Sequence, residues 1–138
     1  TMLSEDNKLI VVFGSAGLRD VEKRYLMASA AAKFADMTVL TAEDPRTESL
    51  EGILNMMAEG CRASGGVEGE TFIRVPDRGQ AIYEACQMAE AGDLVMACGK
   101  GHEQSMCFGT IEYPWDDRDA LRAALRGSPL KILPVSWK

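Results

Sequence analysis

Apolar residues recur along this chain at two alternating spacings. Leu9-Ile10-Val11-Val12-Phe13 is an unbroken β-branched and aromatic run that stops at Gly14-Ser15-Ala16-Gly17, the pattern of a strand buried on both faces. Leu26, Met27, Ala30, Ala31 and Phe34 follow at helical spacing, with Glu22, Lys23, Arg24 and Lys33 on the other side. The expected helix therefore turns the first set inward and the charged set to water. Met37 to Thr41 reads as a second strand, Ala42 to Glu48 as a loop, and Leu50, Ile53, Leu54, Met57 and Cys61 as a second apolar helical stripe.

After a Gly- and Ser-rich connection over Ala63 to Gly69, Phe72 to Val75 predicts a third strand closed by Pro76. Asp77 can cap a helix whose inner face is Ala81, Ile82, Ala85, Cys86 and Ala89. Asp93 to Cys98 is a fourth apolar strand running into Gly99-Lys100-Gly101-His102-Glu103. Met106 to Phe108 and Ile111 to Tyr113 flank Gly109-Thr110 as a hairpin, and Asp116 or Asp117 opens a last helix with Ala120, Leu121, Ala124 and Leu125 inward. Ile132 to Trp137 reads as a short edge strand. Strands alternating with helices predict an α/β domain, a Rossmann-like and mostly parallel sheet with helices on both faces. Ligands of such sheets bind outside the carboxyl ends of the strands, here the loops Gly14 to Asp20, Ala42 to Arg46 and Gly99 to Glu103.

Length and charge narrow the classes. The 138 residues suit a single domain spanning 1–138. A net charge of −6 supplies no basic face for a phosphate backbone, so no nucleic acid is expected. No apolar stretch approaches the roughly 20 residues that span a bilayer, and Glu5, Asp6 and Lys8 break up the start, so neither membrane insertion nor a signal peptide is expected. Cys61, Cys86, Cys98 and Cys107 form no CxxC pair; free, mostly buried thiols fit a cytoplasmic protein without a metal site.

Individual motifs are modest. Gly14-Ser15-Ala16-Gly17 lacks the GxGxxG of a dinucleotide site and reads as a tight packing turn. Gly99-Lys100-Gly101 lacks both the Ser or Thr and the earlier glycine of a phosphate loop, so the chain should not be an ATPase by itself. His102, the one histidine, has no GxSxG nucleophile to serve and reads as a hydrogen-bonded loop residue. Asp116-Asp117-Arg118 reads as a helix start, and the eight methionines as core filler.

Their order along the chain is more specific. Val12-Phe13-Gly14 with Arg19-Asp20 and Lys23-Arg24-x-Leu26-Met27, then Asp44-Pro45-Arg46, then Gly99-Lys100-Gly101-His102-Glu103, then Pro114-Trp115-Asp116-Asp117-Arg118 resemble the carboxyl-terminal domain of the Mur ligase family. Within it, the likeness is to the ligases that add the third residue of the peptidoglycan stem peptide. It runs from about Leu9 to Leu125, and the GKGHE run carries the most weight. The resemblance implies an ATP-dependent amide ligase whose central domain, upstream of this one, holds ATP and Mg2+ and converts a carboxylate of UDP-N-acetylmuramoyl-dipeptide into an acyl phosphate. The carboxyl-terminal domain then brings the amine of a diamino acid to it. By the same resemblance Arg19, Asp44, Arg46, Gly99 and Glu103 hold the amino acid. Lys23 and Arg24 are candidate nucleotide contacts, and no catalytic residue or metal ligand lies in this domain.

Two departures bear on that expectation. Diaminopimelate-adding members usually carry DNPR, whereas Glu43-Asp44-Pro45-Arg46 stands here. A charge at Asp44 about 4 Å from a second substrate carboxylate would cost about 4 kcal/mol at an effective dielectric of 20, unless Arg46 neutralises it. Lysine or ornithine would then be favoured, while the retained Arg46 favours diaminopimelate, and both remain open. The family's opening DYAHxP-type segment is missing and the chain starts at Thr1, so a fragment of a longer three-domain ligase, inactive alone, is expected. A stand-alone α/β ligand-binding or regulatory module is the competing reading. A folylpolyglutamate-type ligase fits less well because of GKGHE.

Overall fold

The computed structural model describes residues 7–18, 21–100 and 103–133. Four strands, β1 (Leu9–Phe13), β2 (Met37–Leu40), β3 (Phe72–Arg74) and β4 (Leu94–Cys98), form a parallel sheet in the order β3-β2-β1-β4. Register is set by pairs such as Val11 with Met96 and Val12 with Val39. The helices α1 (Val21–Phe34) and α2 (Leu50–Ala63) connect β1 to β2 and β2 to β3, stepping outward. The helix α3 (Arg78–Met88) returns across the sheet to β4. Right-handed crossovers thus place α1 and α2 on one face and α3 on the other. An antiparallel hairpin, β5 (Ser105–Phe108) and β6 (Ile111–Pro114), and α4 (Asp117–Leu125) complete the unit, with α4 packed on α3.

The core joins Ile10, Val12, Val39 and Leu40 from the strands to Ile53, Met57 and Cys61 from α2 and to Ala81, Ile82 and Ala85 from α3. The caps follow the sequence. Ser49 accepts the Gly52 amide at the start of α2, Asp77 accepts the Gln80 amide at α3, and Asp116 accepts the Arg118 amide at α4, each satisfying a backbone donor that a helix start leaves open.

Three expectations need correction. In α1 the inward residue is Arg24, fully buried, while Leu26, Met27 and Phe34 are 56%, 41% and 79% exposed. The helix is placed by an ion pair and by Ala28 instead of by its large apolar side chains. Leu125, expected inside, is 80% exposed at the last turn of α4. Residues 131–133 are irregular, not a strand, and the rest of that predicted strand lies outside the described residues. The methionines divide: Met57 and Met106 fill the core, while Met27, Met56 and Met96 reach solvent. All four cysteines are free, and burial pushes the Cys61 thiol up to about 11.

Candidate functional site

Because β1, β2 and β4 are parallel, the loops that follow them emerge at one edge, where they enclose a cavity of about 620 Å³. Gly14, Ser15 and Ala16 come from the first loop, Glu43, Asp44 and Arg46 from the second, Gly99 and Glu103 from the third, and Lys23, Arg24 and Met27 from the start of α1. The predicted ligand residues Asp44, Arg46, Gly99 and Glu103 and the candidates Lys23 and Arg24 therefore share one cavity wall. Arg19 and His102 lie outside the described residues. A second cavity of about 450 Å³, beside Trp115, Asp116 and Ile132, contains none of the predicted ligand residues.

The first two loops around the cavity are held in costly backbone shapes. Leu18, Asp44 and Arg46 have φ of 59°, 39° and 55°, in the left-handed region where a side chain costs on the order of 1–3 kcal/mol and which is common at functional sites. Close packing of the first two loops compensates. The Gly17 amide donates to the Asp44 carbonyl at 2.8 Å, and a Cβ on Gly17 would run into the Pro45 carbonyl. The Arg46 amide donates to the Cys107 carbonyl at 3.1 Å and the Gly109 amide to the Arg46 carbonyl at 2.8 Å, tying the second loop to the β5–β6 hairpin.

Three buried cations organise the loops. Arg24 sends Nη1 to Glu48 Oε2 at 2.6 Å and Nη2 to Glu48 Oε1 at 3.0 Å and to the Ala16 carbonyl at 3.1 Å. Glu48 also accepts the Leu18 amide, and the Arg24 hydrogen bond leads in pulling its carboxyl below the ordinary range. Arg24 thus clamps the first loop to the second. Arg78 sends Nε and Nη2 to the two Asp117 oxygens, both at 2.8 Å, with further bonds to the carbonyls of Ala42 and Cys98. It fixes the ends of β2 and β4 beneath the cavity. The Trp115 indole donates to the same Asp117 at 2.7 Å, so the stretch read as a simple helix start is also a buried polar network.

The third cation is Lys100, whose side chain is 1% exposed. Its Nζ donates to both oxygens of Asp44 at 2.9 Å and to Glu103 Oε2 at 3.0 Å. The Cys107 amide adds a fourth bond, to Asp44 Oδ1 at 2.8 Å. The neutralisation of Asp44 that the sequence left open to Arg46 comes instead from Lys100, 56 residues away. Arg46 instead donates Nη1 weakly to the carbonyls of Gly17 at 3.3 Å and Asp44 at 3.5 Å. Nor does it pair with Glu48, which Arg24 occupies.

Glu43 completes the wall and was missed in the sequence. It sits beside Gly99, where a Cβ would strike its carboxylate, and Gly99 has φ of 104°. Desolvation leads in raising the Glu43 carboxyl above its ordinary value, opposed by the charges of Arg78 and Lys100. A half-buried carboxylate and a guanidinium lining the same cavity suit a zwitterion, an ammonium at Glu43 or Glu103 and a carboxylate at Arg46. It does not suit Mg2+, because Asp44 and Glu103 already share an ammonium. No described cluster of three or more His, Cys, Asp or Glu could hold a metal ion.

Residues 1–101 match the family model described as Mur ligase, glutamate ligase domain. The chain is 44% identical over 120 residues to the UDP-N-acetylmuramyl-tripeptide synthetase of Roseiflexus sp., covering 87% of this chain and 24% of that protein. It is 40% identical over 125 residues to the UDP-N-acetylmuramoyl-L-alanyl-D-glutamate--2,6-diaminopimelate ligase of Cytophaga hutchinsonii, covering 91% and 25%. A solved UDP-N-acetylmuramoyl-L-alanyl-D-glutamate--2,6-diaminopimelate ligase superposes with a TM-score of 0.79 at 37% identity, covering 88% of this chain and 24% of that one. The chain spans about a quarter of the length of these relatives. With the family model matched over residues 1–101 and most of the chain aligned to relatives at 40–44% identity, this chain belongs to the Mur ligase family and corresponds to its glutamate ligase domain.

Proposed function

We propose that this chain is the amino-acid-presenting domain of a longer ATP-dependent ligase that joins a diamino acid to UDP-N-acetylmuramoyl-alanyl-glutamate. One observation carries the reading: Arg46 and the carboxylates Glu43 and Glu103 line a single cavity at the carboxyl edge of the sheet. They form a cation and anion pair of the right chemistry for an amino acid's two ends. Names such as 2,6-diaminopimelate ligase among the relatives support the choice of substrate class. Nucleotide and Mg2+ would be held by other parts of the protein, since two of the three carboxylates here, Asp44 and Glu103, share the Lys100 ammonium. Lys23, exposed at the cavity rim, is the residue here best placed to reach a nucleotide phosphate. Arg24 would shape the wall from behind.

In this role the domain acts by positioning. Arg46 and Glu103 fix the amino acid so that one amine faces an activated carboxylate held by the remainder of the protein. Closing the two parts excludes water that would otherwise compete for that carboxylate. Such a ligase would work in the cytoplasm, where its nucleotide-linked substrate is made; no helix among the described residues is long and apolar enough to cross a membrane. The test is amide formation from UDP-N-acetylmuramoyl-dipeptide, ATP and diaminopimelate or lysine. The full-length protein should form product with at least one of these amino acids, and the 138-residue chain alone should form none. Amino-acid binding without product by the full-length protein would favour a regulatory module instead.

A further inference from the structure

The cavity holds two acidic residues from the same loop, Glu43 and Asp44, with opposite hydrogen-bonding surroundings. Glu43 faces the cavity with no hydrogen bond to its carboxylate from any described residue. Asp44 is held on both oxygens by Lys100 Nζ, with Oδ1 also accepting the Cys107 amide. An ammonium has three protons to give, and the three from Lys100 are matched by three carboxylate oxygens, two on Asp44 and one on Glu103. With Lys100 sealed from solvent and the Asp44 side chain 14% exposed, the pair is part of the wall.

Resting on the function proposed above, we infer that Lys100 is a specificity-positioning residue. It cancels the charge of Asp44 so that a ligand meets Arg46 at that loop, and the site accepts an amino acid bearing a second carboxylate. Arg46 has five N–H donors, and among the described residues only Nη1 is engaged, at 3.3 and 3.5 Å. Without Lys100, the Asp44 carboxylate would stand uncompensated two residues from that guanidinium. It would then compete with a ligand carboxylate for Arg46 and repel it directly. The same ammonium aims Glu103 across the loop, linking the negative end of the site to the silencing of Asp44.

The experiment is the ratio of kcat/KM for diaminopimelate over lysine in the full-length ligase. Lys100→Met, uncharged and of similar length, should lower that ratio at least about tenfold by unmasking Asp44. Lys100→Arg should leave it unchanged. Lys100→Met with Asp44→Asn, which removes both charges, should bring it back to within about threefold of wild type. A purely structural lysine would lower kcat for both amino acids together and leave the ratio alone, and that result overturns the inference. If Lys100→Met does not fold, the double variant decides: a ratio within threefold supports a self-cancelling pair, and a tenfold departure in either direction refutes it. A wild-type protein that ligates neither amino acid would refute the proposed function instead, so the two failures are distinct.

Discussion

Arg78 and Lys100 are both buried cations at the carboxyl edge of the sheet, both bound to an aspartate, yet their surroundings differ. Arg78 is enclosed. Its acceptors are Asp117 and two strand-end carbonyls, and Asp117 in turn takes the Trp115 indole, with side-chain exposures of 0% and 6%. Lys100 is enclosed only on its own side, since one of its partners, Glu103, is 54% exposed at the cavity. Burial of a salt bridge therefore does not by itself say what the bridge does. A pair closed by backbone carbonyls ties elements together, and a pair with one carboxylate at a cavity wall sets the charge that a ligand encounters.

The sharpest way to break that comparison is to remove one partner of the enclosed pair. Arg78→Met should destabilise the fold by about 3–5 kcal/mol, because it leaves Asp117 buried and uncompensated. Urea unfolding read by circular dichroism would show it as a lower midpoint. A loss under about 1 kcal/mol would mean that the network around Asp117 is dispensable.

A smaller effect sharpens the cavity side. Burial raises the Glu43 carboxyl above its unfolded value, so ionisation of Glu43 opposes folding. The stability associated with its protonated form is fully present below the unfolded pKa and is lost as pH rises through the folded one. Glu43→Gln should therefore raise Tm at pH 7, and the gain should shrink toward zero as pH falls below the ordinary carboxylate range. Arg78, Lys100, Asp44 and Glu103 act on the same group, so the profile is best recorded at fixed ionic strength. A gain that persists unchanged in acid would assign the effect to packing.

The contrast between the two cations also marks what the sequence could disclose. The strands were legible because runs such as Leu9 to Phe13 and Leu94 to Cys98 leave few alternatives, and the meeting of three loops followed from the parallel sheet. The orientation of α1 was not legible. Charged residues were assigned to water, but an arginine can bury its stem and head where a carboxylate and carbonyls receive it, as Glu48 and Ala16 receive Arg24. Asp44 and Lys100 lie 56 residues apart, and no local pattern announces a bond between them. Glu43 carries no local signal of its own, because an acidic loop residue beside Asp44 has the same pattern whether it faces a cavity or water.

Amino-acid binding by this cavity through Arg46, as proposed above, is tested most directly at Arg46 itself. In the full-length ligase, Arg46→Ala should raise the KM for the amino acid by roughly 10- to 100-fold, the equivalent of one charge-assisted contact worth about 1.5–3 kcal/mol, while the KM for UDP-N-acetylmuramoyl-dipeptide and the Tm stay near wild type. An unchanged KM for the amino acid would contradict the assignment of this cavity.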